Sequence, residues 1–229
     1  DLRKDAEAPV TAFLGARLAV DADGVSIAHI YRSDPELPAE RAPLQQPGVD
    51  ARAGDRLLAI NGRAVRNPGD VARALRQQAG QQVLLTLQRG KAEAHRTVVV
   101  PVPADRDATL RYLDWVQGRA EAVARASGGR MGYLHLRAMT PGDMAAFVRD
   151  FYAQLDREGL IVDVRRNRGG NIDSWVIDRL MRRAWAYWHP PGTVPQWNQQ
   201  QSYRGHLAVL ADEFTYSDGE TFAAGIKAL

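Results

Sequence analysis

The sequence predicts two parts of different fold class, a mainly-β domain followed by an α/β domain. Three observations predict it. Short β-rich runs punctuated by Asp-Gly, Asn-Gly and Arg-Gly pairs fill residues 15–103. Over residues 104–127 the apolar residues recur instead at three and four positions. Beyond that helix, almost wholly apolar strands alternate with helical patterns, the signature of a mostly parallel sheet covered on both faces. The division expected is residues 9–103 and 104–229. A chain of 229 residues is long enough for one large or two small domains, and 45% apolar with 25% charged residues exclude collagen-like, low-complexity and largely disordered chains.

In order, Leu18–Val20, Val25–Tyr31, Arg56–Ile60, Val83–Gln88 and His95–Val100 read as strands. A helix over Asn67–Gln78 interrupts them, with Val71, Ala74 and Leu75 at helical spacing, Asn67-Pro68 as a start and Gly80 as a stop. The joining helix runs from Ala104 to Ser127 with Leu110, Leu113, Val116, Ala120 and Val123 on its apolar face. Then come strand Met131–Leu136, helix Pro141–Arg157, buried strand Gly159–Val164, helix Trp175–Trp185, buried strand His206–Ala211 and helix Asp218–Leu229.

Several function classes drop out. No apolar run reaches the roughly 18 residues of a membrane helix, and Asp-Leu-Arg-Lys-Asp at the start lacks the apolar core of a signal peptide. The charged start and the stop at Leu229 lead to the expectation of a piece of a longer protein, its targeting signal elsewhere, with no membrane partner. Cysteine is absent, which excludes disulfides and thiolate chemistry. Arginine supplies 27 of the 30 cations, but they interleave with acids to a net +3 rather than forming a stripe, so no nucleic-acid partner is expected. The five histidines are scattered and no H-E-x-x-H occurs, so neither a metal nor a cofactor is expected.

Two stretches carry specific patterns. In Pro47-Gly-Val-Asp-Ala-Arg-Ala-Gly54-Asp55-Arg-Leu-Leu-Ala-Ile60-Asn61-Gly62, a Gly-Asp pair opens a strand that turns at Asn-Gly; Gly54 and Asn61-Gly62 allow positive φ, and Leu57, Leu58 and Ile60 fill the strand between. This resembles the PDZ domains. The resemblance implies a groove that takes an extended peptide by strand addition, with Phe13, Leu14 and Gly15 as the loop for a chain-terminal carboxylate. An ordinary strand entry fits those three residues equally well.

In the second part, the strand ending at Ala211 leads to Ser217-Asp218-Gly219-Glu220 at the start of a helix. Free amides there favour a developing oxyanion, so Ser217 can serve as a nucleophile; Ser217-x-x-Glu220 is equally a capping box. Leu160-Ile-Val-Asp-Val-Arg165-Arg-Asn167-Arg-Gly169-Gly170 delivers a glycine pair to the start of another helix, but without the Lys-Ser/Thr of a phosphate-binding loop. With Gly132-Tyr-Leu-His-Leu136 and Arg204-Gly205, these segments resemble the tricorn-type serine proteases, relatives of the carboxyl-terminal-processing proteases, in the order PDZ then catalytic part. The resemblance implies a PDZ-like domain followed by an incomplete crotonase-like α/β protease core. It implies an acyl-enzyme at Ser217, the Gly170 and Asp218 amides as oxyanion hole, peptide or unfolded polypeptide substrates, and a homo-oligomeric parent. It also places the base His before the PDZ domain and a supporting Glu after the nucleophile helix, outside residues 1–229, so the chain alone should be inactive. Arg168 stands where the family often has another glycine. Trp188 lacks the nearby acid that some of these enzymes use for basic side chains. Lys227, within the last helix, does not suit a Ser-Lys pair.

His29, His95, His135 and His206 lie in strands and His189 in a loop, and structural or surface roles are expected for all five. Trp175, Trp185, Trp188 and Trp197 gather between the glycine loop and Ser217, with Trp185 expected in the core, and residues 189–201 form a long polar loop of the kind that borders substrate sites. The alternative from another class is a non-catalytic PDZ peptide-binding module in which Ser217 only caps its helix. A cytoplasmic setting is favoured over the bacterial periplasm.

Overall fold

The computed structural model describes residues 10–34, 37–199 and 201–229. The chain divides into two compact units, Asp1–Gln117 and Gly118–Leu229.

The first unit is built on an antiparallel sheet in the order β1-β2-β3-β5-β6, with β4 paired to β3. Its strands are β1 (Ala16–Asp21), β2 (Gly24–Ile30), β3 (Arg56–Ile60), β4 (Arg63–Ala64), β5 (Val83–Gln88) and β6 (His95–Val99). The expected turn geometry is present: Gly54, Asn61 and Gly62 all have positive φ, and Asn61 Oδ1 accepts from Leu84 N at 2.8 Å, fixing the β3–β4 turn against β5. Asp55, almost fully buried, accepts from Arg89 and from the Arg52 amide and so anchors the entry to β3. Val83, Leu85 and Leu87 alternate inward into one core with Val25 and Ile27, and a register shift between Leu57 and Ala59 lets both Leu57 and Ile60 of β3 face it. Helix α1 (Pro68–Ala74) is shorter than expected. Asn67 caps it as read, but Leu75 ends it and Gln77 turns to positive φ so that its amide can bond Val10 O. Pro38 and Pro43 each start a short 3-10 turn that the strand pattern did not indicate.

Helix α2 (Ala104–Ser127) has the expected bounds. Within the first unit, its Leu110 packs with Tyr31 and Ala42, and Asp114 holds His29 at 2.8 Å and the Arg32 amide at 3.1 Å.

The second unit holds a parallel sheet in the order β11-β8-β7, from β7 (Met131–His135), β8 (Gly159–Asp163) and β11 (His206–Leu210). Helices α3 (Pro141–Tyr152), α4 (Asp173–Leu180) and α5 (Asp218–Ala228) complete it. Phe147, Phe151, Leu160, Val162, Val176 and Phe222 form its core. β8 is buried as expected, but β11 is not: Leu207 and Val209 pack against the core, while His206, Ala208 and Leu210 on the opposite face are exposed. Helix α3 stops at Tyr152, and the following turns bring Glu158 N to Arg130 O. Helix α4 begins two residues early and ends at Leu180, which leaves Trp185 beyond it and 81% exposed rather than in the core. The polar loop contains a two-stranded hairpin, β9 (Tyr187–Trp188) with β10 (Gln196–Trp197), pinned by Asn198 to Ala186. Among the described residues no helix is long and apolar enough to cross a membrane.

Candidate active site

Ser217 lies at the junction between the turn after β11 and α5. Three bonds set that turn: Tyr216 N donates to Asn167 O at 3.0 Å, Thr215 Oγ1 to Val164 O at 2.9 Å, and Arg166 N to Asp212 Oδ1 at 2.9 Å. The chain thus has no freedom to relax at Ser217, whose φ of 53 and ψ of −119 are unfavourable for a residue with a Cβ. The side chain is exposed. Capping features are present as well, since Glu220 Oε2 accepts from Ser217 N at 2.6 Å. An ordinary cap residue, however, has extended backbone angles. Capping alone therefore does not account for the backbone of Ser217.

The glycine loop abuts this serine. A Cβ built on Gly169 would come 2.7 Å from Ser217 Cβ, so any side chain there would displace the serine. At Gly170 a Cβ would fall on the Met139 carbonyl. That approach is close because Met139 N donates to Gly169 O and Asn171 N to Met139 O, both at 2.8 Å, which stitches the loop to the segment after β7. Gly170 is exposed, and neither its amide nor that of Asp218, first in α5, donates to a described residue. The structure thus places the three positions singled out in the sequence, Ser217, Gly170 and Asp218, on two abutting turns. Arg168, in place of the familiar glycine, is accommodated: it points outward, and its amide bonds Arg137 O at 3.1 Å.

Three supports of this arrangement were missed in the sequence. Asn167 is fully buried between the two turns: its Nδ2 donates to Leu136 O and its Oδ1 accepts from Gly169 N, both at 2.8 Å. A Cβ on Gly219 would touch Asn167 at 2.9 Å, so the start of α5 is packed directly against it. The Asp218 carboxylate accepts from Ile172 N at 2.9 Å and Asp173 N at 3.0 Å, which explains why α4 begins early. Beneath the loop, Asp163 is fully buried and accepts from Tyr133 Oη at 2.8 Å and from Arg165 Nη2 at 2.6 Å. Burial alone would raise the Asp163 carboxyl, but the bonds from Arg165 and Tyr133 outweigh it and hold it below the usual range. Burial, with Asp163 beside it, pushes the Tyr133 hydroxyl up. An Asp ending an apolar strand two residues before an Arg was the available signal.

None of the five histidines bonds Ser217. His29 pairs with Asp114, and His95 donates to Asp50 O. His135, pushed below the usual range by burial, donates to Arg165 O at 3.0 Å and braces that turn. His189 and His206 are exposed. Among the described residues no cluster could hold a metal ion.

In the first unit, Leu14 is buried and Gly15 has φ 68. Phe13 is half-buried and exchanges bonds with Val102 at 2.8 and 2.9 Å. Buried Asp107 of α2 faces the Gly15 amide; its burial raises its pKa, against the smaller pull of Arg111 and of that amide.

The family model of the tricorn protease PDZ domain matches residues 12–104, and that of peptidase family S41 matches residues 130–229. Tricorn protease homolog 1 of Streptomyces coelicolor is 41% identical over 94% of this chain, and the tricorn protease of Thermoplasma acidophilum 30% identical over 92%. This chain covers 20% and 19% of those two proteins. A crystal structure of the tricorn protease superposes with a TM-score of 0.86 at 26% identity, over 96% of this chain and 21% of that one. The chain thus spans about a fifth of the relatives' length. The chain is a tricorn-type PDZ domain followed by part of a peptidase family S41 domain.

Proposed function

We propose that this chain carries the nucleophile and oxyanion hole of a serine endopeptidase acting on peptides or unfolded polypeptides. The observation that carries the reading is the strained, exposed Ser217, set against a glycine loop whose Gly170 amide, like that of Asp218, donates to no described residue. Ser217 Oγ attacks the peptide carbonyl carbon, and the carbonyl π pair moves onto oxygen, which the Gly170 and Asp218 N–H groups hold. The base that takes the Oγ proton passes it to the departing amine as the C–N bond breaks, leaving an ester on Ser217. Water, deprotonated by the same base, then releases the acid. In this reading the base is a residue outside residues 1–229, since each histidine here is engaged elsewhere or exposed. The PDZ domain would present the extended peptide, with the Leu14 amide as its carboxylate contact because those of Phe13 and Gly15 already face Val102 and Asp107.

The test is labelling with a fluorophosphonate probe of this chain and of the full-length protein that carries it, each beside Ser217→Ala. Labelling of the full-length protein, absent in Ser217→Ala, is expected. If neither is labelled, the bond from Ser217 N to Glu220 defines a helix cap, and the chain is a peptide-binding module.

A further inference from the structure

Helix α4 carries a face that the chemistry at Ser217 does not use. Trp175, Asp178, Arg179 and Arg182 are spaced to stand on one side of the helix and its exit, and with Met144 of α3 they line an open groove of about 440 Å³. Both arginines are half-buried, yet neither forms an ion pair with Asp178 or any other described carboxylate. Other arginines of this unit are either paired, as Arg130 with Glu158 and Arg165 with Asp163, or exposed, as Arg168 and Arg183 are; Arg179 and Arg182 are neither. Asp178 leaves the groove with two cations against one anion, and Trp175, 65% exposed, offers a flat apolar wall.

The groove has a fixed relation to the serine turn, because the Asp218 carboxylate holds the first amides of α4. From Asp173 to Leu180 the helix advances about 10 Å, with Arg182 just past its end, a span that an extended peptide covers in about three to four residues. Paired guanidinium forks suit a carboxylate, which each can bind through two N–H groups. We propose that this groove binds a carboxylate of the peptide, on an acidic side chain or at the chain terminus, about three to four residues from the bond that Ser217 attacks. It rests on the peptidase reading of Ser217 for its register. Arg179 and Arg182 are its specificity determinants and Trp175 packs the stem.

The test is fluorescence anisotropy of labelled ten-residue Ala/Gly peptides against the full-length Ser217→Ala protein, with circular dichroism confirming that each variant folds. One series carries a single glutamate at successive positions and an amidated terminus; a second is neutral with a free terminal carboxylate; the reference is neutral and amidated. One of the two carboxylate series should bind at least tenfold tighter than the reference, and which one identifies the source. That advantage should vanish in R179Q/R182Q and survive in part in R179K/R182K. Equal binding of all peptides, no binding of any, or an advantage that survives R179Q/R182Q and so belongs to the PDZ domain would each overturn the groove. Fluorophosphonate labelling of the unmutated protein reports separately on Ser217: labelling without the advantage removes the groove alone, and the advantage without labelling removes the peptidase reading alone.

Discussion

Ser217 and Gly170 are the two residues at which backbone conformation bears on the proposed chemistry. A serine at φ 53 carries about 1–3 kcal/mol of strain, tolerable because the bonds of Thr215 and Tyr216 to the β8 turn over-determine it. Gly170 has the opposite constraint, since the carbonyl of Met139 occupies the place of any side chain. Gly170→Ala should therefore destabilise the second unit by at least about 3 kcal/mol in urea unfolding. In the full-length protein that carries it, fluorophosphonate labelling of whatever fraction stays folded should slow by about 100-fold or more, since the amide is displaced from its place beside Ser217. A stability loss below about 1 kcal/mol would show that the loop has room to shift and that the close approach to Met139 is not a constraint.

At the scale of elements, β8 and the turn after it are held by an ion pair between buried Asp163 and half-exposed Arg165. Asp163 has its pKa depressed in the folded chain, so its stabilising contribution is full above the unfolded value of 3.8 and is lost as pH falls through the folded one. Asp163→Asn should cost about 1–3 kcal/mol at pH 7, because the buried site loses a charged acceptor for Tyr133 and Arg165 while the half-exposed guanidinium can still turn to water. The gap between Asp163→Asn and the unmutated chain should narrow as the pH drops below about 4. Urea midpoints between pH 7 and pH 2.5 measure this; a gap independent of pH would mean that Asp163 acts by packing, not by charge. The same logic explains the early start of α4: the carboxylate of Asp218 satisfies two amides that the helix cannot satisfy itself.

For the molecule as a whole, each unit has its own core, one centred on Leu57, Ile60 and Leu85 and the other on Phe147, Phe151 and Val162. Leu85→Ala and Phe151→Ala, both fully buried, should each cost about 2–5 kcal/mol. In native-state hydrogen exchange, Leu85→Ala should speed exchange in β3 and β5 and leave β7 and β8 unchanged, with Phe151→Ala doing the reverse. Exchange that rises throughout the chain for either substitution would mean that the two cores unfold as one.

The pairing of Ser217 with the glycine loop came from a family resemblance; the sequence by itself determined the order of elements, the change of class at α2, and the turn at Gly54 and Asn61-Gly62. These features are local: periodicity, turn residues and motif spacing are all carried by adjacent residues. Tertiary structure decided what depends on contacts between distant segments. It placed Asn167 between two turns, buried Asp163 under Arg165, and turned Asp218 to the start of α4. It also ended α4 at Leu180, which put Trp185 outside the core, and left one face of β11 exposed where its apolar composition indicated burial. Apolar composition reports what a side chain prefers, whereas burial depends on which other segment arrives to cover it. That is decided by the packing of the whole unit and is not written in any one stretch of its sequence.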